Sequence, residues 1–248
     1  AYWMLKGVHS STIPAALEFK PVEYPYRYPD KNSVLYHLIE VQDYDMILKY
    51  TDDEFIKSWV EFQKGNYATS MIIAREAMDK IKVKPPKTDL RWRLVYPQNY
   101  YKQVQNYAAQ YNNNDALMMA IIREESSFNS DAQSGVGAIG LMQLMPSTAH
   151  DIGQKHGITF NTSYLFNPEL NIRLGNLYYS TIKGMLNNMD VSAIAAYNGG
   201  IGSVTRWKST FLYNDTDEFV EQIPYDETKN YVEKVFRSYW NYTRIYQK

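Results

Sequence analysis

Nowhere does the chain sustain the alternation of apolar and polar residues that marks a half-buried strand, while helix starts and stops recur from Val34 onward. That contrast confines it to the mainly α class. Val34 to Val41 reads as a short helix. A helical pattern runs from Met46 to Met78, with Phe55, Trp59 and Phe62 on one face, and Gly65-Asn66 interrupts it. An amphipathic segment from Tyr67 to Ile81 follows the break. The two form an αα-hairpin, the unit of helical solenoids, although one hairpin is too few to establish an array. Lys82 to Lys87, with Pro85-Pro86, reads as a linker. A boundary is therefore expected near residue 90, with residues 1–90 as the end of a superhelical or linker domain and 91–248 as a second domain.

Later segments carry clearer punctuation. Tyr100 to Tyr111 is a candidate helix, and Asp115 is expected to cap another that runs through Phe128. The Gly-rich loop Ser134 to Gly140 leads to Pro146, well suited to a first helical position. Asn167-Pro168 repeats that signal and predicts a helix through Ile182. Ser192 is expected to open a short helix of small residues ending at Gly199-Gly200, and Thr228 to Tyr246 the last one. Residues 1 to 43, with Pro14, Pro21, Pro25 and Pro29, look irregular.

Composition removes several function classes. A net charge of −1 gives no electrostatic case for nucleic acid or an anionic membrane surface. The longest apolar run, Ala116 to Ile122, is far short of the roughly 20 residues that span a bilayer. Without cysteine there is no disulfide, thiolate metal site or cysteine nucleophile. Of His9, His37, His150 and His156, the last two are six apart, which is not the spacing of a zinc pair. Neither a metal nor a cofactor is expected. The opening Ala1-Tyr2-Trp3-Met4 has neither an initiator Met nor a signal segment, so a fragment of a longer protein is expected.

One helix carries the chemistry. On a wheel, Leu117, Met118, Ile121, Ile122 and Phe128 centre an apolar stripe near Ile121, with Glu125 about 20° from that centre and Glu124 about 80° away. A carboxyl group on an apolar face loses solvation, its pKa rises, and it becomes an acid able to donate near neutral pH. A buried Glu satisfied by Arg or a backbone N–H fits the wheel equally well.

The surrounding residues add a resemblance. Arg123-Glu124-Glu125-Ser126-Ser127-Phe128 is followed by Ser134-Gly135-Val136-Gly137-Ala138-Ile139-Gly140-Leu141-Met142-Gln143-Leu144-Met145-Pro146, then Ala196-Tyr197-Asn198-Gly199-Gly200 and Ile223-Pro224-Tyr225-Asp226-Glu227-Thr228-Lys229-Asn230-Tyr231-Val232. In this order, over roughly residues 93 to 248, they resemble the soluble lytic transglycosylases that cleave bacterial peptidoglycan, the large periplasmic branch in particular. The resemblance implies a lysozyme-like catalytic domain, related to goose-type lysozyme, preceded by helical hairpins of a superhelical domain. It implies Glu125 as the sole catalytic acid/base. Ser134, Gln143, Met145, Asn198 and Glu227 match positions lining the sugar cleft, and Tyr197 the tyrosine whose hydroxyl sits near the catalytic carboxyl. Glu124 departs from the family, which often has Gln there.

Plainer roles compete. The glycines permit a tight loop, Met142 and Met145 can be core filler, Asn198 can end a helix, and Glu227 can favour a helix N-terminus. Most glycosidases use two carboxylates; Asp131 and Asp151 lie outside the matched motifs. The resemblance accordingly implies substrate assistance, in which the MurNAc acetamido group and C6 hydroxyl replace a second carboxylate and water, leaving a 1,6-anhydro end. It further implies glycan strands as substrate, wall synthases as partners, and the periplasm as compartment. A goose-type muramidase and a non-catalytic glycan-binding or scaffold module are the competing readings.

Overall fold

The computed structural model describes residues 16–23, 25–211, 213 and 215–247; the expectations for residues 1–15, with Pro14 and His9, lie outside them. The helices are α1 (Val34–Glu40), α2 (Tyr44–Tyr50), α3 (Glu54–Gln63), α4 (Tyr67–Lys80), α5 (Arg91–Val95), α6 (Tyr101–Gln110), α7 (Asp115–Ser126), α8 (Pro146–Lys155), α9 (Pro168–Met185), α10 (Asp190–Gly199), α11 (Ile201–Thr210), α12 (Thr216–Glu221) and α13 (Asp226–Tyr246), with a 3-10 turn at Thr162–Phe166. Among the described residues the only β pairing is two isolated bridges, Gln133 with Ile139 and Ile139 with Leu144.

The α3–α4 pair is the expected hairpin. Its two helices lie side by side, and Ser58 Oγ donates to the Ser70 carbonyl at 2.8 Å across the seam. Helix α5 packs on both, so the core runs without a break from Trp59 and Met78 to Trp92 and Leu94. An extended strap, residues 16–22, is fastened across the body. Leu17 N–H donates to Asp115, Glu18 N–H to the Tyr246 carbonyl, and Lys20 N–H to Gln98 Oε1.

Helix α7 is the axis of the second half. Every residue from Asp115 to Arg123 is buried, so it is enclosed on all sides rather than presenting one apolar stripe. Helix α13 lies along it, while α6 packs on both α7 and α9. Several starts differ from expectation, α13 among them, which begins at Asp226 rather than Thr228. Asn114, not Asp115, caps α7, its Oδ1 accepting from Leu117 N–H at 3.0 Å. Asp115 Oδ1 accepts from Ala116 N–H in the first turn at 2.8 Å, while its Oδ2 is drawn toward the strap, accepting from Leu17 N–H at 3.1 Å and the Tyr101 hydroxyl at 2.6 Å. Helix α10 begins at Asp190, and Ser192 sits buried inside it.

Candidate active site

At the end of α7 the enclosure opens. Glu124, Glu125, Ser126 and Ser127 are half-buried, and the chain then turns sharply through Ser127 and Phe128, at φ +52° and +64°. Two consecutive non-glycine residues in the left-handed region are strained. The turn drives the Phe128 ring back into the core, 1% exposed, and leaves Glu125 at the mouth.

The adjacent carboxyl groups have different surroundings. Glu124 Oε1 accepts from Arg123 Nη1 and Ser238 Oγ, both at 2.5 Å. Arg123 is itself buried, its guanidinium 4.5 Å from the centre of the Tyr96 ring and its Nε–H donating to the Val95 carbonyl. Among the described residues no cation is paired with Glu125. Its Oε1 accepts a 2.6 Å hydrogen bond from the Tyr231 hydroxyl on α13. Burial pushes the Glu125 pKa up, the Tyr231 bond pulls it back, and the Glu124 charge adds a smaller upward push, leaving it at about 7. A carboxyl group so poised can both give and take a proton near neutral pH.

The Gly-rich loop is joined to Tyr197 through the Met142 carbonyl and is braced by its own bonds. Ser134 Oγ accepts from Ala138 N–H at 2.9 Å, and Gln143 Nε2 donates to the carbonyls of Ala132 and Gly140, at 3.2 and 2.9 Å. Gly140 is required twice over: its φ is +80°, and a Cβ there would collide with the Asn171 amide and the Leu165 carbonyl. Asn171, fully buried on α9, pins the loop by donating to the Ile139 and Leu165 carbonyls and accepting from Met142 N–H. Sequence reasoning missed it, and its only signal is a polar residue on the inward face of α9. Met142 is fully buried beside Gly175, whereas Met145 is 39% exposed at the start of α8.

Tyr197, whose hydroxyl is expected near the catalytic carboxyl, bonds elsewhere: it donates to the Met142 carbonyl at 2.9 Å. It still lies close enough for the Glu125 charge, after burial, to raise its pKa. The loop carbonyl, needing a donor in a half-buried setting, accepts the Tyr197 hydrogen bond, and Tyr231 fills the place beside Glu125. Tyr231 lies within the quoted Ile-Pro-Tyr element, one turn after buried Thr228 on the inward face of α13.

Asn198 does more than end α10: its Oδ1 accepts from Thr228 Oγ at 2.7 Å, fastening α10 to α13. Glu227 is exposed in the first turn of α13, where negative charge is favourable, and no contact joins it to Glu125 among the described residues. Asp131 and Asp151 are exposed, and among the described residues Glu124 is the one carboxylate whose charge acts on Glu125. His150 stacks on Phe160 and bonds Thr162 Oγ. Among the described residues no group of three or more His, Cys, Asp or Glu is arranged to hold a metal, and no helix is long and apolar enough to cross a membrane.

Residues 102–220 match the family described as the transglycosylase SLT domain. A Haemophilus influenzae protein is 32% identical over 200 residues, covering 80% of this chain and 31% of that relative. The soluble lytic murein transglycosylase of Escherichia coli K12 is 39% identical over 129 residues, covering 50% of this chain and 20% of that relative. Among solved structures, an inactive Glu-to-Gln mutant of the lytic transglycosylase Slt from Pseudomonas aeruginosa matches with a TM-score of 0.69 at 27% identity, covering 89% of this chain and 38% of that one. The 70 kDa soluble lytic transglycosylase of Escherichia coli matches with a TM-score of 0.66 at 22% identity, covering 94% and 38%, a likeness of fold alone. The chain spans less than two fifths of the length of each of these proteins.

Proposed function

The chain belongs to the soluble lytic transglycosylase family, and on that premise we propose that it cleaves the MurNAc–GlcNAc bond of peptidoglycan without water. Its fold is mainly α and lysozyme-like, as in the family. In this reading Glu125, protonated, donates to the glycosidic oxygen, and that bond breaks as the MurNAc acetamido oxygen closes on the anomeric carbon. Glu125, now anionic and held by the Tyr231 hydroxyl, takes the proton from the C6 hydroxyl. The C6 oxygen displaces the acetamido oxygen, leaving a 1,6-anhydro end and returning Glu125 to its starting state. Because the nucleophile is tethered to the sugar, much of the entropic cost of bringing it to the anomeric carbon is already met.

The observation carrying this reading is one half-buried carboxyl group with a pKa of about 7, bonded to a tyrosine, with no second carboxylate bonded beside it among the described residues. A muramidase would need such a group to hold water. Ser134, Gln143, Met145, Tyr197, Asn198 and Glu227 are assigned as cleft residues. Residues 91–248 are assigned as the catalytic domain, which contains the family match, and 1–90 as the end of a superhelical one. A periplasmic location and action beside wall synthases follow from the same proposal. Mass spectrometry of digested sacculi tests it. Anhydro ends are expected, with turnover abolished by Glu125→Gln, the type of change carried by the inactive Pseudomonas protein. Reducing ends heavier by one water, or a fully active variant, would overturn it.

A further inference from the structure

Asn198 is exposed near the end of α10, and only one half of its side-chain amide is in use. Its Oδ1 accepts from Thr228 Oγ1 at 2.7 Å, whereas its Nδ2 makes no hydrogen bond among the described residues. The two ends of an amide have opposite hydrogen-bonding sense, so whichever end is tied down decides what the other offers.

Thr228 removes the freedom in that choice. It is buried, 2% exposed, in the first turn of α13. A threonine deeper in a helix can donate to the carbonyl four residues back, but here that residue is Pro224, which precedes α13. Among the described residues the Thr228 hydroxyl bonds to Asn198 Oδ1 alone. Turning the amide over would set Nδ2 against the hydroxyl oxygen and strand a buried hydroxyl proton, and a buried donor without an acceptor is penalised. The amide is therefore held with its oxygen toward α13 and its N–H groups outward.

Two neighbours make the arrangement exact in space. A Cβ on Gly199 would stand 2.8 Å from Thr228 Oγ1 and 3.1 Å from its Cγ2, so the residue after Asn198 must lack one for α13 to come this close. Three residues beyond Thr228, and adjacent to it on the helix surface, Tyr231 holds Glu125. A single turn of α13 thus fixes both the candidate acid and the Asn198 amide. That turn is itself steadied where Tyr225 meets the buried Trp207 ring of α11 edge-on, 5.0 Å between centres.

We propose that Thr228 is a positioning residue: acting through Asn198, with Gly199 giving it room, it turns the Asn198 N–H groups outward to grip an oxygen of the bound glycan in fixed register with Glu125. Thr228 itself touches no substrate. That the acceptor is a glycan rests on the function proposed above; the orientation of the amide does not.

The test is calorimetric titration of a β-1,4-linked GlcNAc hexamer into the 248-residue chain carrying Glu125→Gln, so that nothing is cut. Asn198→Ala should weaken binding about threefold to tenfold, the equivalent of one hydrogen bond between neutral groups. Asn198→Asp keeps an oxygen for Thr228 but has no N–H to present, so it should weaken binding as much as Asn198→Ala; a role confined to fastening α10 to α13 would be preserved in it. Thr228→Val frees the amide to turn and should weaken binding about twofold to tenfold, as expected when a side chain must be ordered on binding. Thr228→Ser should restore it, and in an Asn198→Ala background Thr228→Val should have no further effect. Full affinity in Asn198→Asp or Thr228→Val, losses that multiply in the double variant, or no binding of the hexamer, would overturn the proposal. The titration needs no turnover. Binding that depends on Thr228 in a chain that leaves no anhydro ends would refute the reaction and keep the positioning role, whereas anhydro ends with unaltered binding in these variants would refute the positioning role alone.

Discussion

Replacing Tyr231 by Phe removes one oxygen from a buried, otherwise unaltered ring and isolates its bond to Glu125, 2.6 Å long. That bond favours the anion: a hydrogen bond to a charged group contributes about 1.5–3 kcal/mol, against about 0.5–1.5 kcal/mol for the neutral pair. The difference, about 1–1.5 kcal/mol, corresponds to about one pKa unit. The Glu125 pKa should therefore rise from about 7 toward 8, since the lost interaction is the one that pulls it down. In the proposed reaction Glu125 must start protonated, so kcat/KM falls as pH rises through its pKa in the free enzyme. The midpoint of that fall should lie near pH 7 in the unaltered chain and about one unit higher in Tyr231→Phe. The assay is the initial rate of anhydro-product release from sacculi between pH 5 and 9. A midpoint that stays put, or moves to lower pH, would refute the claim that Tyr231 holds the catalytic carboxylate.

Stability should carry the same signature. The folded pKa of Glu125 lies above its unfolded value, so stability is lost as pH rises from about 4.5 to about 7, by at most about 3 kcal/mol. Glu125→Gln should accordingly resist denaturant better than the unaltered chain at pH 8 and no better at pH 4, as read by chemical unfolding. Glu124→Gln leaves buried Arg123 without its anion, which should cost about 2–4 kcal/mol in the same measurement, and should move the activity midpoint down because a like charge has gone. Tyr197→Phe should leave the midpoint where it is, because its hydroxyl serves the Met142 carbonyl, and should lower kcat about tenfold by loosening the loop. Gly140→Ala should destabilise the fold by at least about 2 kcal/mol in thermal unfolding, since positive φ and two collisions act together.

Local signals were legible in this chain and distant ones were not. Pro146 and Asn167-Pro168 open α8 and α9 where expected, because a cap and a fixed φ need nothing beyond their own turn. Asp115 gives only one oxygen to its own helix start, the other being taken by Leu17, 98 residues away, through the strap bond. Helices α11 and α12 escaped notice because they bury few residues: Val204 and Trp207 in one, Thr216, Phe219 and Val220 in the other. The choice between Tyr197 and Tyr231 depends on a side-chain bond spanning 106 residues, and no local pattern distinguishes two tyrosines that both reach the same region.

The wheel puts Glu125 on an apolar face for an incomplete reason, and the difference bears on the proposed acid. A stripe would bury Glu125 by lateral position alone, and any neighbouring turn of that face would serve as well. Instead α7 is enclosed on every side from Asp115 to Arg123, and Glu125 becomes reachable only because the helix stops at Ser126 and turns through a strained left-handed pair. Desolvation, the largest cause of its raised pKa, is therefore supplied by the packed body behind it, while access comes from the turn in front. Glu124, one residue earlier and likewise half-buried, has its charge met by Arg123 and Ser238. The 100° between these adjacent positions on the helix thus sets one glutamate beside a cation and the other beside a hydroxyl, and only the second has the surroundings the proposed acid needs.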